Sequence, residues 1–122
     1  MIAYTTIGTA DIEKAKAFYL AVLADMGASI VMDIGRLAAF GTASGGAMLA
    51  VCTPYNGDAQ NPGNGNMVAI APGSKELVDK IYAKAIALGA SDEGAPGQRM
   101  DGFYGGYIRD LDGNKICFCN FG

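Results

Sequence analysis

At 122 residues the chain is long enough for one domain whose folding buries roughly two-thirds of the unfolded chain's surface, and too short for a second independent core. Hydrophobic residues make up 51%, charged residues 17%, and mean hydropathy is +0.22, which describes a slightly apolar globule and excludes a disordered chain. A net charge of −3, a pI near 4.7 and nine scattered Lys and Arg leave no basic footprint for nucleic acid, and no apolar run approaches the ~20 residues that cross a bilayer.

Met1 to Thr6 carry no basic stretch of the kind that opens a secretory signal, so the expected address is cytoplasmic. The next feature in chain order is strand-like, Tyr4-Thr5-Thr6-Ile7. It leads into Ile12, Ala15, Phe18, Tyr19, Val22, Leu23 and Met26, which are spaced along one helix face with Asp11 as N-cap and Gly27 as the stop. Short strand-like pieces follow at about 29–33, 36–40 and 47–52. A breaker-rich linker without periodicity then runs from Pro54 to Asn66. A shift of 63 positions, from Tyr4 to Met67, brings the same grammar back. Met67-Val68-Ala69-Ile70 reads as a strand, and Ser74 takes the place of Asp11 as the cap. Ile81, Tyr82 and Ile86 fall on Phe18, Tyr19 and Leu23, and Gly89 ends the second helix. Strands are expected at about 90–93, 102–109 and 115–121. The pattern is βαβββ twice, an α+β chain with module one at about 1–53 and module two at about 67–122 of a single 1–122 domain. Each half leaves an apolar sheet face that needs a partner.

Composition invites two readings that spacing rejects. Gly41 to Gly46 and Gly102 to Gly106 are rich in glycine but do not stand between a strand and a helix N-terminus, as phosphate loops do; they read as hairpin turns. Asp110 and Asp112 lack the further ligands of a calcium loop. Cys52, Cys117 and Cys119 form an odd set without zinc-knuckle spacing and read as free thiols in a reducing compartment.

Taken in order, Ile2 to Gly8, the Asp11 to Tyr19 helix start, Gly94-Ala95-Pro96-Gly97-Gln98-Arg99 and the Asp110 to Asn114 turn resemble their counterparts in small members of the vicinal oxygen chelate superfamily of glyoxalase, bleomycin-resistance and dioxygenase proteins. The resemblance covers nearly the whole chain. It implies two modules whose sheets curl into an open, barrel-like cleft with helices outside and small-molecule chemistry inside. Family metal sites take one ligand from the first and one from the last strand of each module. The first-strand position, usually histidine, is Tyr4 here, with Met67 as its repeat equivalent. The family strand that opens Asp-Pro-Asp-Gly-Asn usually delivers a glutamate; the matching position in Asp110-Leu111-Asp112-Gly113-Asn114-Lys115-Ile116-Cys117 is Cys117. Setting Gly46 on Gly113 puts Ala50 on Cys117 and Cys52 on Cys119.

Phenol, methyl, thioether and thiol are not the imidazole and carboxylate set that such metals prefer, and the chain has no histidine. No metal and no cofactor is therefore expected, and the four corners read as refilled by side chains that pack. Without histidine, Cys117 and Tyr4 are the candidate catalytic groups, with Tyr104, Tyr107 and the carboxylates behind them. Arg109 is the cation nearest Cys117 in sequence, but the apolar surroundings of Cys117-Phe118-Cys119 favour a structural thiol. Arg99 follows a loop that resembles the one beside the family's cleft mouth, where a guanidinium grips carboxylate or phosphate. Strand alternation puts Phe103 and Tyr107 on one face, with Tyr104 on the other. The expected ligand-binding set is Tyr4, Ala50, Met67, Arg99, Phe103, Tyr107 and Cys117. The resulting reading is a glyoxalase/bleomycin-resistance-like protein without the usual metal ligands, which binds a small organic molecule in its cleft. The alternatives are a glyoxalase-like (lactoylglutathione lyase) or dioxygenase-like enzyme with atypical site residues, and a structural dimer with a filled cleft. The resemblance implies a homodimer; neither nucleic acid nor membrane is an expected partner.

Overall fold

In module one the chain opens with β1 (Tyr4–Gly8), enters α1 (Ile12–Val22), and continues through β2 (Ser29–Asp33), β3 (Leu37–Gly41) and β4 (Met48–Cys52). Module two repeats this with β5 (Val68–Ile70), α2 (Lys75–Ala87), β6 (Ser91–Met100), β7 (Phe103–Arg109) and β8 (Lys115–Phe121). These elements come from a computed structural model that describes residues 1–122. The chain divides into the units Met1–Pro62 and Gly63–Gly122, a boundary inside the breaker-rich linker. Each unit is a four-stranded mixed sheet with one helix, so the α+β class and the doubled βαβββ plan hold. No helix is long and apolar enough to cross a membrane.

The first sheet has the order β1-β4-β3-β2, with β1 and β4 parallel and the remaining pairs antiparallel. Its helix starts where Asp11 accepts a 3.2 Å bond from the Lys14 N–H, supplying one acceptor to the otherwise unpaired donors of the first turn. Regular α-helix ends at Val22, earlier than the expected Gly27; a 3₁₀ turn, Ala24–Met26, fills the gap. The Gly27 N–H closes that turn on Ala24, and φ of +81° at Gly27 makes the exit. Phe18, Tyr19 and Val22 are buried on the face that meets the sheet, where the Tyr19 and Phe40 rings lie 6.1 Å apart.

The second sheet has the order β5-β8-β7-β6, again with a single parallel pair, β5 and β8. Ser74 caps α2 by accepting from the Leu77 N–H at 3.2 Å. Val78, Ile81 and Ala85 of α2 and Ile108, Ile116 and Phe118 of the sheet are fully buried. At roughly 1.5–3 kcal/mol for each large side chain, this layer is the main adhesive of the module. Two short bonds pin the helix to the sheet: Tyr104 Oη donates to Asp79, and Tyr82 Oη to Asp92, each at 2.6 Å.

One segment departs from expectation. Gly94 to Arg99, read as a loop after a short strand at 90–93, lies within β6, which pairs with β7 as far as Met100. The ladder skips between Asp92 and Gly94, between Gly94 and Gly97, and between Gln98 and Met100. These bulges destroy the alternation that would have marked a strand.

Candidate functional site

Each sheet has a face turned to its helix and a face without one, and strand parity sorts the residues between them. In module one, Tyr4 and Thr6 of β1, Met48, Ala50 and Cys52 of β4, and Leu37 and Ala39 of β3 share the helix-free face. Ala50 lies between Thr6 and Ala39 in register and is fully buried in a small cluster with Leu37 and Ala39. Tyr4 pairs with Met48, one step along, and is 56% exposed.

The corresponding pairing in module two is Ala69 with Cys117 and Tyr107 with Cys117. Thr6 and Ala69 are 63 positions apart, the same shift that relates Tyr4 to Met67, so the ladders themselves set Ala50 on Cys117. Cys117 is fully buried, while Met67 immediately precedes β5 and is 45% exposed. The four corner positions are thus unlike: Ala50 and Cys117 pack, whereas Tyr4 and Met67 offer side chains to solvent.

The helix-free face of module two is built around Tyr107. Alternation places Phe103 with it and Tyr104 opposite; Tyr104 reaches the helix residue Asp79, while Phe103 packs edge-on against Phe121 at 5.2 Å. Gly105 lies between the two aromatics, and a Cβ there would meet the Phe103 ring at 3.1 Å. Arg99 is the extra residue of the last β6 bulge, which re-aims its side chain across the sheet. Its Nε donates to Gly105 O at 3.1 Å, its Nη2 donates to Ala95 O, and its guanidinium lies 5.3 Å from the Tyr107 ring centre. Two of the five guanidinium N–H donors are thereby committed to backbone carbonyls, and the free grip expected of Arg99 is reduced to Nη1 and the second N–H of Nη2. Gly94 makes this arrangement possible: its φ is +144°, and a Cβ would press on both Arg99 Nη2 and Tyr107 at 3.3 Å.

Sequence reasoning missed Lys115. Its Nζ stands 5.6 Å from the same ring centre, on the register position beside Cys117. The only signal was its parity with Cys117, which carries no weight until β7 is known to be the neighbour.

Titration behaviour follows from burial. Desolvation is the largest influence on Cys117 and pushes its thiol up to about 11, with Cys119 adding to it; burial also raises Cys119. Burial raises the Tyr107 phenol, with Cys117 adding to the shift and Arg99 opposing it. Arg109 does not serve Cys117: it donates to Glu93 at 2.9 Å and to Gly113 O at 3.1 Å. Nor is Asp110 a spare ligand. Its Oδ1 accepts from the N–H groups of Asp112 and Asn114, and its Oδ2 from Asn114 Nδ2, so this carboxylate organises the turn into β8. No three His, Cys, Asp or Glu side chains converge in a way that could hold a metal ion. Phenol, methyl, thioether and a protonated thiol at the corner positions do not fit a divalent cation.

Residues 1–118 match the Glyoxalase/Bleomycin resistance protein/Dioxygenase superfamily. Among solved structures, a glyoxalase/bleomycin resistance protein from Albidiferax ferrireducens T118 is 33% identical, with a TM-score of 0.89 over 98% of this chain and 97% of that one. A glyoxalase/bleomycin resistance protein/dioxygenase family enzyme from Burkholderia phytofirmans PsJN shares the fold at 22% identity and a TM-score of 0.80, covering 98% of each chain. So does a lactoylglutathione lyase from Agrobacterium tumefaciens, at 24% identity, a TM-score of 0.69 and coverage of 98% and 92%. No curated protein matches the sequence. The chain belongs to the glyoxalase/bleomycin resistance protein/dioxygenase superfamily.

Proposed function

We propose that this member of the superfamily binds a small organic molecule without metal-assisted chemistry, and that the helix-free face of module two is its principal contact surface. The observation that carries the reading is the make-up of that face. The position that would deliver a metal ligand is a buried thiol held protonated, while beside it the half-buried Tyr107 ring lies between Arg99 and Lys115. An aromatic surface with a few fixed polar groups suits orientation of a planar ligand better than activation of a water or an oxygen. Phe103, Tyr107 and Arg99 contribute directly, Met67 just before β5 is proposed as a further contact, and the buried Cys117 packs beneath this face; on the helix-free face of module one, the exposed Tyr4 is proposed as a contact of its own over the buried Ala50.

Metal analysis of untagged protein and a thermal-shift screen of aromatic compounds test the proposal together. Well under one equivalent of transition metal and a melting temperature raised by at least one organic compound are expected. A stoichiometric metal that survives dialysis overturns the metal-free reading, and a screen without any stabilising compound overturns the binding reading.

A further inference from the structure

The charges on module two are segregated. Among its acids, Asp79 accepts from Tyr104 on the helix side, Asp92 accepts from Tyr82 and from the Gly94 N–H, Glu93 pairs with Arg109, and Asp110 is consumed by its own turn. Neither cation over Tyr107 is in a salt bridge, although Asp92 is close enough to Arg99 for the guanidinium to lower its carboxyl. Arg99 has only neutral carbonyls as hydrogen-bond partners. Lys115 has neither an ion pair nor a hydrogen bond, and only the ring face of Tyr107 holds its ammonium. Two like charges about one ring repel each other, an effect that water and salt moderate because Arg99 is exposed and Lys115 half-buried. In a chain of net charge −3, Lys115 is a cation that no acid forms a salt bridge with, and Arg99 adds positive charge beside it.

We propose that Lys115 is the anion anchor of the ligand site, and that the site takes an organic oxyanion, a carboxylate or a phosphate ester attached to a planar or aromatic body. The oxyanion accepts from Lys115 Nζ and from the uncommitted Arg99 Nη1, while the body lies along Tyr107 and Phe103. Arg99 is a less adaptable partner than Lys115 because the bonds from its Nε and Nη2 fix the guanidinium on the bulge of β6, whereas the Lys115 ammonium makes no hydrogen bond and can turn its three donors. The inference rests on the binding reading above and adds the charge of the ligand. It also separates this site from one suited to cationic ligands, which Lys115 would repel.

Isothermal titration with four probes of similar shape decides it: benzoate, phenyl phosphate, benzyl alcohol and benzylammonium. The expected result is measurable binding of one or both anions, weakened as salt rises, with the neutral and cationic probes at least tenfold weaker. The ratio of benzoate to phenyl phosphate identifies which oxyanion the site prefers. Lys115→Gln should lower anion affinity about tenfold or more and leave the neutral probe unchanged. Tyr104→Phe, on the opposite face, should leave all four as they are. The unliganded melting curve of each variant reports folding, and Lys115→Arg, which keeps the charge, should restore most of the affinity. Equal binding of benzyl alcohol and benzoate, or anion binding indifferent to Lys115→Gln in a folded variant, overturns the anion assignment while leaving the binding reading intact. Failure of all four probes, together with a thermal-shift screen empty of hits, overturns both.

Discussion

Alkylation of the native protein offers a quantitative check on whether Cys117 is a nucleophile or a packing residue. Only thiolate attacks iodoacetamide. At pH 8 a thiol at the ordinary value of 9.0 is about one-tenth thiolate, whereas one at about 11 is about one-thousandth, a roughly hundredfold difference from protonation alone. Burial adds to it, because Cys117 has no solvent-exposed surface and must wait for a local or global opening of β8, the strand between β5 and β7 in the sheet. A short pulse of iodoacetamide at pH 8, followed by peptide mapping, should therefore leave Cys117 and Cys119 unmodified, and the same pulse in concentrated urea should label all three cysteines. The half-buried Cys52 serves as an internal comparison. Labelling of Cys117 in the folded protein within tenfold of the rate for free cysteine would refute both the burial and the pKa argument, and would return the thiol to the list of catalytic groups.

Three other outcomes follow from the same structure. Stability should decline on the alkaline side: Cys117 and Tyr82 titrate near 9.0 and 10.0 when unfolded but near 11 and 12 when folded, so the unfolded chain loses these protons first. The urea midpoint should accordingly fall as pH rises from about 9 towards 12, and an unchanged midpoint between pH 8 and pH 10.5 contradicts the assignment. Gly94→Ala forces a side chain into a φ of +144° and against Arg99 and Tyr107; a loss of about 1–3 kcal/mol in equilibrium unfolding is expected, and a variant as stable as wild type shows that the bulge yields. Phe118→Ala empties the fully buried layer under α2 and should cost about 3–5 kcal/mol by the same measurement, with a cost below 1 kcal/mol indicating that the layer collapses to fill the gap.

The doubled architecture is readable along the chain because its signals are local. Asp11 and Ser74 each announce a helix by the acceptor they present to the N–H three residues on, and both do so. The strand at Lys115 to Phe121 and the short module-one strands were readable from residue type and bounding turns, to within a residue of their observed limits. Setting Ala50 on Cys117 required only that two hairpin turns be superposed, and the parallel pairs Thr6 with Ala50 and Ala69 with Cys117 have the same register. The end of α1 was less legible, since the apolar spacing runs on through a 3₁₀ turn that keeps nearly the same period.

The site itself was only half written in the one-dimensional pattern. Parity separated Phe103 and Tyr107 from Tyr104, because alternation is a property of a single strand. The path of Gly94 to Arg99 was not legible: three register breaks erase its period, and only hydrogen bonding to β7 makes it a strand. The direction of Arg99, the exposure of Tyr4 and Met67, and the placement of Lys115 over Tyr107 all depend on which strands become neighbours. Caps, turns and alternation act over a few bonds and are carried by the residues that show them. A charge brought beside a ring from another strand is decided by the sheet's register, so only the folded chain reveals it.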